Sequence, residues 1–109
     1  TCHTGDYSCF GIQKERDIKW LSGLFNLISE RKKSLPENSY TTKLFKSGGN
    51  RIIQKVGEEA VETIIAAKNE DKEEIINETS DLIFHLFVML NYLDIDLREI
   101  VKNLEERHK

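Results

Sequence analysis

Apolar residues recur every three or four positions along most of this chain, which is the period of an amphipathic α-helix. The first run covers residues 17–33 and ends before the only proline, Pro36, which cannot continue a helix. Long runs follow at 50–68 and 72–93, separated by a short polar turn, and a last run lies at 97–104. The pattern therefore predicts at least four helices.

The segment at 39–46 is ambiguous. Its β-branched and aromatic residues are typical of a strand, whereas Ser39 could cap a short helix that turns Tyr40, Leu44 and Phe45 inward. We expect the short helix, which makes five in all. The residues expected to cap the five helices are Asp17, Ser39, Asn50, Asp71 and Asp96, the last two with a glutamate three positions on.

The fourth predicted helix is apolar on almost every side between Leu82 and Leu90. A helix of this kind is buried between several neighbours, so the run indicates a core that two copies build jointly. The expected fold is all-α: an antiparallel helical bundle completed by homodimerisation.

Two glycine positions stand out. Gly48 and Gly49 predict a turn that lets the backbone reverse or approach another group closely. Gly57 lies inside the predicted third helix, where glycine costs about 1 kcal/mol relative to alanine. A neighbour or a ligand is expected to come close there.

Composition narrows the class of protein. The chain has 109 residues, of which 39% are apolar and 32% charged, as expected for a single charge-rich domain. The net charge of −3 offers no basic excess for nucleic acid, and no apolar run suits a membrane span or a signal peptide. Two cysteines among many lysines and glutamates fit a reducing, cytoplasmic setting.

The first ten residues, T-C-H-T-G-D-Y-S-C-F, show no helical or strand period, and residues 11–16 look like a polar linker. Cys2, His3 and Cys9 could bind zinc, but a closed site needs four ligands and no convincing fourth follows. Zinc binding is therefore not expected, and two free thiols are the alternative. The only methionine is Met89, so we expect the chain to be part of a longer one.

Acidic residues gather at two places. Glu58, Glu59 and Glu62 fall within five positions, and Glu78 and Asp81 form a second group. Residues three or four apart share a helix face, so two antiparallel helices could aim these side chains at one point. Converging carboxylates repel one another unless a cation compensates them, and Mg²⁺ is a natural candidate. Taken singly, each is more simply a solvated surface residue, whereas the two spaced groups together favour a metal site.

Basic residues precede the first acidic group: Lys43, Lys46, Arg51 and Lys55. Cations beside metal-binding carboxylates suit polyphosphate hydrolysis, in which they neutralise phosphate charge and hold the leaving group. The alternative is a set of surface side chains in weak ion pairs along the helices. His85 could face the same site, although a hydrogen-bonded core histidine is the simpler reading.

Three strings carry a resemblance to a known family: S-Y-T-T-K-L-F at 39–45, R-I-I-Q-K-V-G-E-E-A-V-E at 51–62, and E-T-S-D-L with H-L at 78–86. Together they closely resemble phosphoribosyl-ATP pyrophosphohydrolase of histidine biosynthesis. That family belongs to the all-α nucleoside-triphosphate pyrophosphatases of the MazG type, whose signature is E-E-x-x-E followed by E-x-x-D. The resemblance covers about Asp17 to Lys109.

The resemblance implies Mg²⁺-dependent hydrolysis of phosphoribosyl-ATP to phosphoribosyl-AMP and pyrophosphate by a homodimer, with Mn²⁺ as a possible substitute. Glu58 would be either a further metal ligand or the residue that positions the attacking water, and Glu58 or Glu59 would orient or deprotonate that water. The implied metal ligands are Glu59, Glu62, Glu78 and Asp81. The implied phosphate contacts are Lys43, Lys46, Arg51 and Lys55.

The beginning of the chain carries a second resemblance. C-H-T-G-x-x-S-C-F is similar to the end of phosphoribosyl-AMP cyclohydrolase, which catalyses the next step of the same pathway and uses both cysteines as zinc ligands. This implies that residues 1–16 are a remnant of a fused cyclohydrolase domain with its linker, and that residues 17–109 are the pyrophosphohydrolase domain.

Two other functions fit the residues less fully. One is a house-cleaning pyrophosphatase of the same superfamily that acts on ordinary or damaged nucleoside triphosphates. The other is a non-enzymatic helical dimerisation module whose acidic patch is only surface.

Overall fold

The computed structural model describes the backbone from residue 6 onward and side chains from residue 13 onward, and this part of the chain forms five α-helices and no strand. The helices are α1 (Asp6–Ser34), α2 (Tyr40–Ser47), α3 (Gly49–Lys68), α4 (Lys72–Tyr92) and α5 (Leu97–Arg107). The predicted all-α fold is therefore confirmed, and the ambiguous segment after Ser39 is a helix.

The fold is built on the hairpin of α3 and α4. A turn of residues 69–71 joins the two helices, which share the most extensive contact in the molecule. α1 packs on α4, and α2 contacts α1, α3 and α4. The core lies where these helices meet, with Phe25 edge-on to Phe87 at 5.3 Å between ring centres. Its buried residues are Phe25, Ile28, Leu44, Ile52, Phe87 and Val88.

Three predicted helix starts have the expected cap. The Ser39 side chain accepts a hydrogen bond from the amide of Thr42, and the Asp71 side chain accepts one from the amide of Glu74. At α5 the capping box is complete, because Asp96 accepts from the backbone while Glu99 accepts from the amide of Asp96 at 2.9 Å. Such caps satisfy amide groups that would otherwise lack a partner.

The start of α3 differs from the prediction, because Asn50 lies inside the helix and not at its cap. Gly48 occupies the cap position with a φ of +93°, and no side chain caps the helix. This left-handed backbone is accessible to glycine at little cost. Gly49 follows with the Tyr92 ring so close that an added Cβ would lie 2.7 Å from it. The predicted close approach at the glycine pair is thus confirmed.

The beginning of α1 was predicted wrongly. The helix starts at Asp6, so residues 11–16 are helical, and Asp17 accepts a hydrogen bond from Gln13 within the helix instead of capping it. Extending an existing helix adds one hydrogen bond per residue, so a stretch without a clear apolar period can join it. The side chains of Cys2, His3 and Cys9, and with them the prediction about zinc binding, lie outside the described residues.

Many large apolar side chains remain exposed. Trp20 is 68% exposed, and on α3 the residues Ile53, Val61 and Ile64 are between 49% and 59% exposed. The radius of gyration is 16.7 Å, whereas a compact chain of this length would have about 13 Å. α4 contacts three helices of its own chain, so much of its apolar surface is covered without a partner. None of the described helices is both long and apolar enough to span a bilayer.

Candidate active site

Three acidic side chains meet at the middle of the α3–α4 hairpin. Glu59 comes from α3, and Glu78 and Asp81 come from consecutive turns of α4. One carboxylate oxygen of each lies within 4.8 Å of the other two. The hairpin connection aligns the two helices so that residues equally far from the turn stand opposite each other. The predicted convergence of the two acidic groups is thus seen in these three residues.

The group has unpaired acceptors. Glu59 is only 6% exposed, and the Oε2 atoms of Glu59 and Glu78 are buried with no hydrogen-bond partner among the described residues. A buried carboxylate oxygen without a partner is costly, and three neighbouring negative charges add repulsion. A cation between them would remove both costs. Three convergent carboxylates are the hard oxygen ligands that Mg²⁺ and Mn²⁺ accept, so the residues fit such an ion.

Lys55 stands one turn before Glu59 and already offsets part of this charge. Its ammonium lies 3.3 Å from Glu59 Oε1 and 3.5 Å from Glu58 Oε1, and its side chain is 16% exposed. Burial lowers the pKa of Lys55, but the hydrogen bonds to Glu59 and Glu58 and the nearby negative charge outweigh burial and raise it above its usual value. The ammonium is therefore a permanent positive charge beside the carboxylate group.

Glu58 has a different environment from Glu59. Its side chain is about half exposed and pairs with both Lys55 and Arg51, the latter at 3.3 Å. It lies outside the three-carboxylate group. Two of the predicted phosphate-binding cations are thus held by a predicted catalytic carboxylate.

Glu62 also lies outside the group. It is exposed and, together with Glu78, lines a shallow depression of about 270 Å³ whose other walls are Ile65, Ala66, Glu74 and Asn77. Each residue turns an α-helix by about 100°, so Glu62 points roughly 60° away from Glu59. Three of the four predicted metal ligands are therefore together, and the fourth lies at the rim beside Glu78.

The remaining predicted phosphate contacts, Lys43 and Lys46, lie on α2. Both are exposed, and neither ammonium forms a hydrogen bond or an ion pair within the described part of the chain. They are available to an outside anion, in contrast to Arg51 and Lys55.

A hydrogen-bonded pair next to the group was only partly expected. His85 is buried, as expected for a core histidine, and its ring nitrogens contact the Asp81 carbonyl oxygen and the Tyr40 hydroxyl. Tyr40 was expected to point inward, yet it is 52% exposed. The i,i+4 spacing of Asp81 and His85 was visible in the sequence, whereas the contact with Tyr40 joins residues 45 positions apart.

Comparison with known proteins gives a consistent result. The sequence model of the phosphoribosyl-ATP pyrophosphohydrolase family matches residues 21–108. The chain is 50% identical over 109 residues to a protein of Buchnera aphidicola and 52% identical over 110 residues to one of Campylobacter jejuni. An Escherichia coli protein is 50% identical over 109 residues. All three are named histidine biosynthesis bifunctional protein HisIE.

These alignments cover the whole of this chain but only 50% of the Buchnera protein and 53% of the other two. The chain thus spans about half the length of these relatives. The family match includes α2 to α5, all of the carboxylate group and the cations around it. By this match and by its fold, the chain belongs to the phosphoribosyl-ATP pyrophosphohydrolase family of hydrolases.

Proposed function

We propose that this chain hydrolyses phosphoribosyl-ATP to phosphoribosyl-AMP and pyrophosphate, with Mg²⁺ as cofactor and Mn²⁺ as a substitute, as a step of histidine biosynthesis in the cytoplasm. The observation that carries the proposal is the pair of buried, unpartnered oxygens on Glu59 and Glu78, next to Asp81, in a member of this family. An acidic patch that served only as surface would be solvated, and these oxygens are not.

Glu59, Glu78 and Asp81 would hold the ion, and Glu62 could join them from the rim of the same hairpin. A bound divalent ion would polarise a phosphoryl oxygen and offset the charge of the reacting phosphates. The chain's own residues would fix the position of the triphosphate. Lys43 and Lys46 are free to bind phosphate oxygens, and their charge would favour departure of pyrophosphate.

Glu58 would exchange partners when substrate binds. In the free protein it neutralises Arg51 and Lys55, and phosphate oxygens would compete with it for both cations. Once released, its carboxylate could accept the proton of the attacking water, while Glu59 stays buried against Lys55. The water oxygen then bonds to phosphorus at the α–β junction, the bond to the bridging oxygen breaks, and pyrophosphate leaves.

We also propose that the active form is a homodimer. The exposed apolar residues of α3, which include Ile53, Val61 and Ile64, would supply the contact with a second copy. Light scattering after size-exclusion chromatography should give twice the chain mass, and Ile64→Asp should reduce it toward one chain. A wild-type monomer at micromolar concentration would refute this part.

The parent protein is proposed to carry a fused phosphoribosyl-AMP cyclohydrolase domain, in line with the bifunctional names and double length of the relatives. The test is the amino-terminal sequence encoded ahead of Thr1, which should supply a further zinc ligand. A different upstream domain would exclude this assignment.

The activity itself is tested by pyrophosphate release with phosphoribosyl-ATP, ATP and dCTP as substrates. We expect turnover of phosphoribosyl-ATP far above the other two, and loss of turnover in Glu62→Gln and Glu78→Gln with unchanged helical circular dichroism. Glu106→Gln, an exposed glutamate of α5, is the matched control. Preference for ATP or dCTP would favour a house-cleaning enzyme, and the absence of any turnover would favour a dimerisation module.

A further inference from the structure

A hydrogen-bonded pair connects α2 to α4 beside the carboxylate group. The Tyr40 hydroxyl lies 3.1 Å from His85 Nε2, and His85 Nδ1 lies 2.8 Å from the backbone oxygen of Asp81. The Tyr40 ring stacks on Phe84 at 6.1 Å, and the His85 ring stands edge-on to both aromatic rings. We call the Tyr40–His85 pair the clamp.

The direction of these hydrogen bonds follows from their chemistry. A carbonyl oxygen can only accept, so His85 Nδ1 carries the proton and donates it to Asp81. In the neutral ring, Nε2 is then an acceptor, and the Tyr40 hydroxyl must donate to it. His85 is buried and fixed to its own helix, so it is the anchor and Tyr40 is the part that is held.

Tyr40 is the first residue of α2, so its hydrogen bond to His85 ties the start of that helix to α4. Lys43 lies three positions later, on the same side of the helix, and its ammonium has no partner in the described part of the chain. The clamp thus joins the helix that carries Lys43 to the helix that carries Asp81.

We propose that Tyr40 and His85 are positioning residues that hold the start of α2, and with it Lys43, at the phosphate side of the carboxylate group. The inference rests on the proposed function for its substrate, a nucleotide polyphosphate. The clamp acts on substrate affinity and not on the metal, because it contacts only the backbone of Asp81 and leaves the carboxylate of Asp81 untouched.

Two variants separate the clamp from the packing around it. Tyr40→Phe removes the hydroxyl and keeps the ring on Phe84. His85→Asn removes Nε2 and can keep the bond to Asp81, because Asn91 on the same helix donates in this way to the carbonyl of Phe87 at 2.9 Å. Tyr92→Phe is the matched control, since that ring belongs to the last residue of α4, seven positions after His85, and lies beside Gly49.

We expect KM for phosphoribosyl-ATP to rise about three- to tenfold in Tyr40→Phe, the fold-change that corresponds to losing one hydrogen bond. His85→Asn should raise KM similarly, and the double variant no further, because both changes break the same bond. The kcat, the Mn²⁺ affinity measured by calorimetry and the unfolding midpoint of Tyr40→Phe should stay within error of wild type. Tyr92→Phe should leave KM unchanged.

A histidine ¹⁵N spectrum of the wild-type protein gives a readout independent of turnover. It should show a proton on Nδ1 of His85 and none on Nε2. An unchanged KM in Tyr40→Phe, additive effects in the double variant, or a fall in Mn²⁺ affinity would overturn the proposal. If His85→Asn fails to fold, Tyr40→Phe decides alone. If the wild-type protein releases no pyrophosphate, the proposed function fails, and a proton on Nε2 would separately refute the clamp.

Discussion

The charge of Glu59 distinguishes a metal site from a structural ion pair, and Glu59→Gln tests it. In the absence of metal, Glu59 attracts Lys55 at 3.3 Å and repels Glu78 and Asp81 at up to 4.8 Å. At an effective dielectric constant of about 20, the attraction is worth about 5 kcal/mol and a repulsion at 4.8 Å about 3.5 kcal/mol, and solvent weakens the repulsion from Asp81 because that side chain is exposed. Glutamine keeps the size of the side chain and an acceptor oxygen but removes the attraction to Lys55 and both repulsions.

These terms nearly cancel, so without metal the free energy of unfolding should change by less than about 2 kcal/mol. A purely structural buried ion pair behaves otherwise, because removing one partner costs about 3–5 kcal/mol. With metal at 100 times its dissociation constant, the wild-type protein should gain about 2.7 kcal/mol. Glu59→Gln should gain much less, because a buried ligand has been lost.

The assay is urea unfolding followed by circular dichroism, at one protein concentration, in EDTA and in saturating Mg²⁺. Glu106→Gln on exposed α5 is the control, and it should respond to Mg²⁺ as the wild-type protein does. A loss of 3–5 kcal/mol in EDTA, together with equal Mg²⁺ responses in Glu59→Gln and wild type, would refute the reasoning and leave Glu59 as the partner of Lys55 alone.

Two further predictions concern the scaffold. Gly49→Ala should lower the free energy of unfolding by about 1–3 kcal/mol, because its Cβ would meet the Tyr92 ring. Gly23→Ala in α1 should raise it by up to about 1 kcal/mol, because nothing lies within 4 Å of the added Cβ. Equal urea midpoints for the two variants would contradict this prediction. Asp96→Ala should destabilise the protein near neutral pH and match wild type in strong acid. The amide of Arg98 and then its side chain lower the pKa of Asp96. The contribution of Asp96 to the free energy of unfolding is therefore present above the usual aspartate pKa and disappears as the pH falls through the lowered value. A difference in stability between wild type and Asp96→Ala that stays constant across an acid titration would contradict this prediction.

Local signals in the sequence were sufficient to predict most of the α3–α4 hairpin and the last helix, α5. The caps at Ser39, Asp71 and Asp96 were predictable because each depends on a side chain and an amide two or three positions away. The cap of α3 was not, because Gly48 acts through a backbone angle and leaves no side-chain signature. The start of α1 was missed because the residues that extend the helix show no clear apolar period.

The acidic site was predicted as a set of spacings, and the structure adds the angle between its members. Residues three apart share a face only to within about 60°, which is enough to bring Glu78 and Asp81 together and to leave Glu62 at the rim. The ion pairs that occupy Glu58 could not be read from spacing, since Arg51 and Lys55 might equally have faced solvent. Tyr40 was beyond sequence reasoning, because its partner is distant in the chain.

The position of Gly57 indicates what approaches the outward face of α3. Glu59 faces α4, whereas Ile53, Val61 and Ile64 face outward, and Gly57 lies on this helix with nothing of its own chain within 4 Å of the place where a Cβ would stand. The sequence expectation of a close neighbour is therefore not met within the chain. Because glycine weakens the helix, its presence one turn from Val61 is accounted for if a second copy approaches here. Two positions separate Gly57 from Glu59, which is about 160° around the helix, so the dimer contact would lie on the side of α3 that faces away from the carboxylate group.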